Sequence, residues 1–368
     1  MEKLGHTPLI EEHRKAGAKL VPFAGFEMPV QYEAGILEEH RTVRQSAGLF
    51  DVSHMGEFDI RGDDALALVQ RATTNDAAKI ATGQAQYTVI CREDGGAIDD
   101  CIVYRFADRY MIVVNASNRA KDLAWIEDIA RGFDVQVVDR SDEIALLALQ
   151  GPRAQTILSG LTDTDLDAIR YYHFAEGTVA GAPCTISRTG YTGEDGFELY
   201  VGAADAASLW QRILEAGDGV RVLPIGLGAR DSLRLEMGYA LYGNDIDENH
   251  TPLEAGLGWV VKLDKGEFIG RDALAELKQT GLRQKLVGFV LGDRGFPRHG
   301  YDVHHQGEPV GVVTSGIHSP SLQQGIGMAY VAAEASKPGT EIEILIRDRG
   351  YPAEVVRPPF YKEGSVRK

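Results

Sequence analysis

Two adjacent carboxylates, Asp99 and Asp100, follow a glycine pair and lead into an apolar run, Gly95-Gly96-Ala97-Ile98-Asp99-Asp100-Cys101-Ile102-Val103-Tyr104-Arg105. The glycines make a turn, and Cys101 to Tyr104 reads as a buried strand. Side chains alternate along a strand, so the two acids point to opposite faces. One can meet solvent or the turn. The other is driven inward, where a lone carboxylate is costly unless a cation or hydrogen-bond donors meet it. An inward acid of this kind can hold charge or a proton. An Asp pair can equally cap the turn by accepting from backbone N–H groups, and spacing alone favours that simpler role.

Other residues invite chemical roles. Ser53 and His54 lie in Leu49-Phe50-Asp51-Val52-Ser53-His54-Met55. Sequence neighbours on a strand face opposite ways, so they cannot form a nucleophile–base pair, and His54 is expected to be a structural hydrogen-bonder. The glycine-rich loop from Arg188 to Glu198 crowds Tyr191, Glu194, Asp195 and Glu198 together. Arg230 and Arg234 are four apart in a segment of helical period and share a face. The acidic stretch 244–252 lacks the spacing of an EF-hand calcium loop, so it is expected to be a plain loop. No GxGxxG or GxxxxGK[ST] run is present, which leaves dinucleotide and P-loop chemistry without support. Cys91, Cys101 and Cys184 form no CxxC, so neither a disulfide scaffold nor a metal site is expected, and a reduced, cytoplasmic setting is.

The elements that must position these groups read as α+β. Helical period covers 9–19, 33–47 (stopped by Gly48), 65–72 (capped by Asp63 or Asp64), 119–131, a stretch led by Pro152, 203–216, 224–243 and 271–278. Strands are expected at 86–91, from Cys101 to Tyr104, at 110–114 and 144–149, on both sides of the Tyr191 loop, and at 259–263. Three strands followed by a helix suggest an antiparallel sheet rather than a doubly wound one. Past a polar boundary at 279–284, short strands with turns predict a small all-β sandwich or barrel. The expected organisation is therefore residues 1–278, as two lobes, and a barrel-like domain over 285–368. With 368 residues, the chain exceeds one ordinary core. Its net charge of -16 argues against nucleic acid or an anionic membrane as partner. The first twenty residues carry no apolar signal region, and Ser365 to Lys368 reads as a solvated tail.

Taken together, these segments resemble one family, the aminomethyltransferase (T-protein) of the glycine cleavage system. The marks occur in order: the Phe50 to Met55 run, Gly95 to Asp100, Val113-Val114-Asn115, Leu149-Gln150-Gly151-Pro152, Arg188 to Glu198 and Gly226 to Glu236. Thr314-Ser315-Gly316 with Ser319-Pro320, and Pro359-Phe360-Tyr361, complete them. Departures are small: Phe26 stands where the family often has Trp, and His318 lies within the Thr314 loop.

The resemblance implies a three-lobed fold with tetrahydrofolate in a central cavity. It also implies a lipoylated carrier protein (H-protein) as partner, whose lipoyl arm brings in an aminomethyl group. Products would be 5,10-methylenetetrahydrofolate, ammonia and the dihydrolipoyl carrier. Folate nitrogens act as nucleophiles, so the protein must orient them, steady developing positive charge and exclude water. By resemblance, Asp100 rather than Asp99 is the catalytic carboxylate beside those nitrogens. Glu198 anchors the pterin edge, and Arg230 meets a pterin oxygen or the folate glutamate, with an ordinary helix salt bridge as its competing role. Tyr191, Met55, Tyr87, Asn115 and Trp259 are candidate cavity walls, and Tyr361 is a further candidate ligand contact.

Two alternatives use related scaffolds. A folate-dependent demethylase of a methylated amine or sulfonium is often fused to a flavin domain, which this chain lacks. A folate-binding iron–sulfur assembly factor would carry a Lys-Gly-Cys-Tyr motif, where this chain has Lys265-Gly266-Glu267-Phe268. An acidic non-enzymatic scaffold would leave the crowded Tyr191 loop without a purpose.

Overall fold

In the computed structural model, which describes residues 4–217, 219–347 and 349–367, most strands gather into two sheets and a closed barrel. A hairpin of Lys19–Phe23 and Phe26–Gln31 lies beside them. The first sheet runs Gln84–Cys91, Ala97–Arg105, Tyr110–Val114, Gly56–Arg61, Gln136–Asp139, antiparallel throughout. The second runs Phe174–Val179, Ala182–Ser187, Gly196–Gly202, Ile144–Gln150, Ala47–Asp51, Val222–Ile225. Its last pair is parallel, which corrects a wholly antiparallel expectation. The long connection between those two strands leaves either sense open. The barrel closes by pairing Gln284–Leu291 with Arg349–Val356.

Alternation decides what each sheet offers to the other. On the first sheet, Cys101 and Val103 pack with Leu68, Val69 and Ile126, under helices Ala65–Ala72 and Arg119–Ala130. Tyr104 and Val113 turn the other way, onto Leu146, Ala148 and Tyr200 of the second sheet. There Phe197, Leu199 and Val201 face Leu209 and Trp210 of helix Ala206–Glu215. Tyr200 reaches back, its hydroxyl donating to Tyr104 at 2.9 Å. The two inner faces thus share one core, and side chains at its edge are free to line a cavity.

Several local expectations are corrected. The first helix is Ile10–Lys15, because Gly17 at φ +67° ends it and Lys19 opens the hairpin. The next helix is Ile36–Gln45, and Gly48 is no stop: it sits in strand Ala47–Asp51, where a Cβ would come within 2.4 Å of Ile225 and 2.5 Å of Val43. Asp64 takes the N-cap position but spends its carboxylate on Asp134 N–H. The helix after Pro152 starts at Ala154. The stretch 224–243 splits into an edge strand, Val222–Ile225, and a helix, Leu227–Glu236. Pro224 is tolerated because the strand ends its sheet. Residues 258–260 form a 3-10 turn rather than a strand, since a short apolar run fits either state. The C-terminal segment is docked, not a free tail: Ser365 donates through N–H and hydroxyl to Glu194, at 2.9 and 2.6 Å. Lys368 lies outside the described residues. Among those residues, no helix is long and apolar enough to cross a membrane.

Candidate active site

The acid pair separates as alternation requires. Asp100 faces the space between the sheets, where its Oδ2 accepts from the Tyr87 hydroxyl at 2.8 Å and its Oδ1 from Asn115 Nδ2 at 3.0 Å. Asp99 turns to the opposite face and is fully buried. Its carboxylate accepts from Asn115 N, Asn115 Nδ2 and Asn118 Nδ2 at 2.9, 2.9 and 2.7 Å. Asp99 is shut off from solvent, Asp100 is half-buried in the cavity wall, and neither caps the turn. The turn is capped by Asp94, which accepts from Gly96 N–H at 3.1 Å. Burial, and then the neighbouring charge of Asp99, push the Asp100 carboxyl up to about 7.

Opposite Asp100, strand Gly196–Gly202 delivers Glu198 to the same space. Burial raises its pKa, and Thr189 Oγ1 donates to its Oε2 at 2.5 Å. Among the described residues the other oxygen has no hydrogen-bond partner. Helix Leu227–Glu236 brings Arg230, whose guanidinium lies 5.0 Å from the Tyr191 ring. Arg230 forms no ion pair or side-chain hydrogen bond among the described residues, and burial lowers its pKa. The competing helix salt bridge is therefore not made. Tyr191 is pinned by a hydroxyl hydrogen bond to the Ala240 carbonyl and stacks on Tyr239 at 5.7 Å. Tyr87 stacks on Trp259 at 5.8 Å, and Trp259 is 60% exposed, which places it at the rim.

These groups line one cavity of about 1290 Å³ between the two sheets and the barrel. Asp100, Glu198, Arg230, Tyr191, Met55, Tyr87, Asn115 and Trp259 are all in its wall. Tyr361 is not: its ring lies under the Arg44 guanidinium, 4.2 Å away, and its N–H donates to the Glu236 carbonyl. Tyr239 is a wall member that residue patterns alone passed over, as is the donor role of Thr189 behind Glu198. Gly238, at φ +68°, ends the helix and turns Tyr239 into the wall, and a glycine there was the available signal. The cavity presents an open carboxylate edge, an unpaired guanidinium, a proton-holding acid and aromatic faces. That set suits a flat, polar, multi-nitrogen ligand.

Other singled-out residues hold the frame. Arg234 does not follow Arg230 into the cavity. It is buried on Asp245 at 2.7 Å and Ser315 at 2.9 Å, tying the helix to the barrel. Asp245 accepts also from Thr314 at 2.5 Å, so the acidic loop has a structural purpose. Glu236 accepts from Arg44, Ser319 and Ser321. Glu194 pairs with Arg44 and Asp195 with Arg188. His54 corrects its expected role: among the described residues its Nδ1 has no hydrogen-bond partner, and it packs edge-on against Phe23 at 5.7 Å. Burial, and then the Arg230 charge, hold it neutral, down to about 3.

Two family descriptions match the chain, "GCVT N-terminal domain" over residues 9–265 and "Glycine cleavage T-protein C-terminal barrel domain" over residues 284–362. A relative named aminomethyltransferase from Symbiobacterium thermophilum is 54% identical, covering 98% of both chains. One of the same name from Halothermothrix orenii is 52% identical over 96% of this chain and 99% of its own. Among solved structures, the glycine cleavage system aminomethyltransferase T from Bartonella henselae superposes with a TM-score of 0.93. It is 38% identical and covers 99% of each chain.

Proposed function

The chain belongs to the glycine cleavage T-protein family and is an aminomethyltransferase, and on that premise we propose that its cavity takes tetrahydrofolate and receives an aminomethyl group from the lipoyl arm of a carrier protein. The demethylase and assembly-factor alternatives are not favoured by these relatives. One observation carries the substrate assignment: Glu198 and Arg230, from distant segments, project unpaired polar groups into one cavity beside Asp100.

When bound, the folate supplies two nitrogens that replace sulfur and amine nitrogen on the carried carbon, their two protons leaving with thiol and ammonia. The protein's part is positioning and proton management. The open edge of Glu198 accepts neighbouring N–H donors of a pterin side by side. Arg230 offers its unused donors to an oxygen of the same ligand. Tyr87 and Asn115 fix both oxygens of Asp100, so its carboxyl is held toward the reacting nitrogens. A pKa near neutrality lets Asp100 hold a proton or steady positive charge as the carbon is exchanged. The walls keep bulk water from competing with the folate nitrogens. The three cysteines are buried free thiols, which accords with a cytoplasmic setting.

The test is a folate-binding titration followed by ammonia release from an aminomethylated lipoyl carrier. Saturable folate binding and carrier-dependent ammonia are expected. Absence of folate binding, or equal rates with free methylated amines, overturns the assignment.

A further inference from the structure

Behind the cavity wall, on the side of strand Ala97–Arg105 opposite Asp100, lies a carboxyl group that the reaction as described does not use. Asp122, in the first turn of helix Arg119–Ala130, is fully buried, and neither of its oxygens meets an N–H or hydroxyl donor among the described residues. The group beside it is Asp99, which accepts at 2.7 Å from Asn118, one helical turn before Asp122. The charges of Asp99 and Asp122 each act on the other. Two buried carboxylates in contact cannot both stay charged, so such a pair holds together by sharing a proton. Asp99 already accepts three N–H bonds, which stabilise its ionised form. Asp122 has none and is the member that keeps the proton, its O–H donating to Asp99.

Asn115 carries this arrangement across the strand. Its Nδ2 has two hydrogens. One goes to Asp99 Oδ1 at 2.9 Å, and the other is shared by Asp100 Oδ1 at 3.0 Å and the Asp100 carbonyl at 3.1 Å. Turning the amide over would lose both contacts, so Asp99 dictates what Asp100 receives. The titratable neighbours of Asp100 are Asp99 behind it, Cys101 next to it, Tyr87 on the adjoining strand and Tyr191 across the cavity. Around the hidden pair stand Lys121, Tyr242 and Cys101, and Lys121 is itself turned to Tyr242 and Glu248.

We propose that Asp122 is a positioning residue for aminomethyl transfer: a neutral acid that, through Asp99 and Asn115, orients Asp100 and keeps a single fixed anion behind it. The kinetic side of this rests on Asp100 acting on the bound folate. The protonation of Asp122 does not.

Three variants of the full chain test it. Asp122→Asn keeps a donor toward Asp99 and is expected to keep kcat and the midpoint of its pH profile. Asp122→Leu keeps the size but removes the donor. Its kcat is expected to fall about 10- to 100-fold, the scale of a small misplacement at the chemistry, with KM for folate unchanged. Its pH midpoint should move down, because Asp99 then takes up a proton and no longer opposes ionisation of Asp100. Without folate or carrier, an infrared difference spectrum between wild type and Asp122→Asn well above neutral pH should show the carbonyl band of a protonated carboxylic acid. Should Asp122→Leu fail to fold, Asp99→Asn is expected to lower the same midpoint. No band in the difference spectrum overturns the proposal. So does a wild-type rate and midpoint in Asp122→Leu, loss in Asp122→Asn equal to that in Asp122→Leu, or an unmoved midpoint in Asp99→Asn. Because the infrared experiment uses no substrate, its failure is distinct from failure of the transferase assignment.

Discussion

Two sets of buried acids sit within this molecule under opposite electrostatic rules. In the cavity, Asp100 is pushed up to about 7 and Glu198 is raised, burial being the first cause for both. In the clamp joining helix Leu227–Glu236 to the barrel, Glu236 is fully buried yet lies down at about 2, because His40, Arg44 and Ser319 meet it. Burial alone does not decide what a carboxylate does; the cations supplied to it decide. The same helix serves both rules. Arg230 is left without an ion pair among the described residues, while Arg234 and Glu236 are fully engaged. An acid without a cation is ready for a ligand or a proton, and an acid with one is a fastener.

The largest effect expected of breaking this contrast is on the fastener. Glu236→Ala leaves the buried Arg44 with one carboxylate, Glu194, in place of two and should destabilise the fold by about 3–5 kcal/mol, read as a lowered denaturant midpoint. A loss under about 1 kcal/mol would mean that the clamp is no stronger than a surface pair. Next comes Asp100→Asn, which should bind folate normally but turn over more slowly by about 10²-fold or more. Near-normal turnover would strip Asp100 of its chemical role. Glu198→Ala should weaken folate binding by about 1–3 kcal/mol, as its ligand donors lose their acceptor, and unchanged affinity would refute the anchor.

A pH series sharpens the comparison, since the two acids tilt stability in opposite directions. Glu236 is depressed from 4.5 to about 2, so its contribution is present above 4.5 and is lost as pH falls toward 2. Asp100 is raised from 3.8 to about 7, so the folded state binds the extra proton in that window and stability declines as pH rises through it. Asp100→Asn should flatten the decline, and Glu236→Gln should flatten the acid loss. Parallel curves for wild type and both variants would contradict the assignment. The smallest expected effect is at Tyr361. Because it lies outside the cavity wall, Tyr361→Phe should leave folate affinity within about 0.5 kcal/mol, and a larger change would bring that residue into the site.

Much was legible from local pattern. The glycine pair, the strand after it and its alternation already required Asp99 and Asp100 to part, and the short strands past residue 284 announced an all-β unit. The misjudged stretches share a cause. Pro224 and Trp259 lie in runs whose state depends on a sheet edge or a packing partner far along the chain, which short-range periodicity does not encode. His54 looked like a hydrogen-bonder because its burial among aromatic rings is invisible in sequence.

Residue order by itself determined the α+β elements, the absence of nucleotide-binding loops and, through matching motifs, the family. Only the folded chain decided which acid of the pair meets the cavity and which turns away to Asn118, and why Arg230 is spared while Arg234 is consumed. The reason is range. Propensity and alternation act between near neighbours, whereas a carboxylate's charge state follows from partners brought in by folding, as with Arg44 on Glu236, 192 positions away.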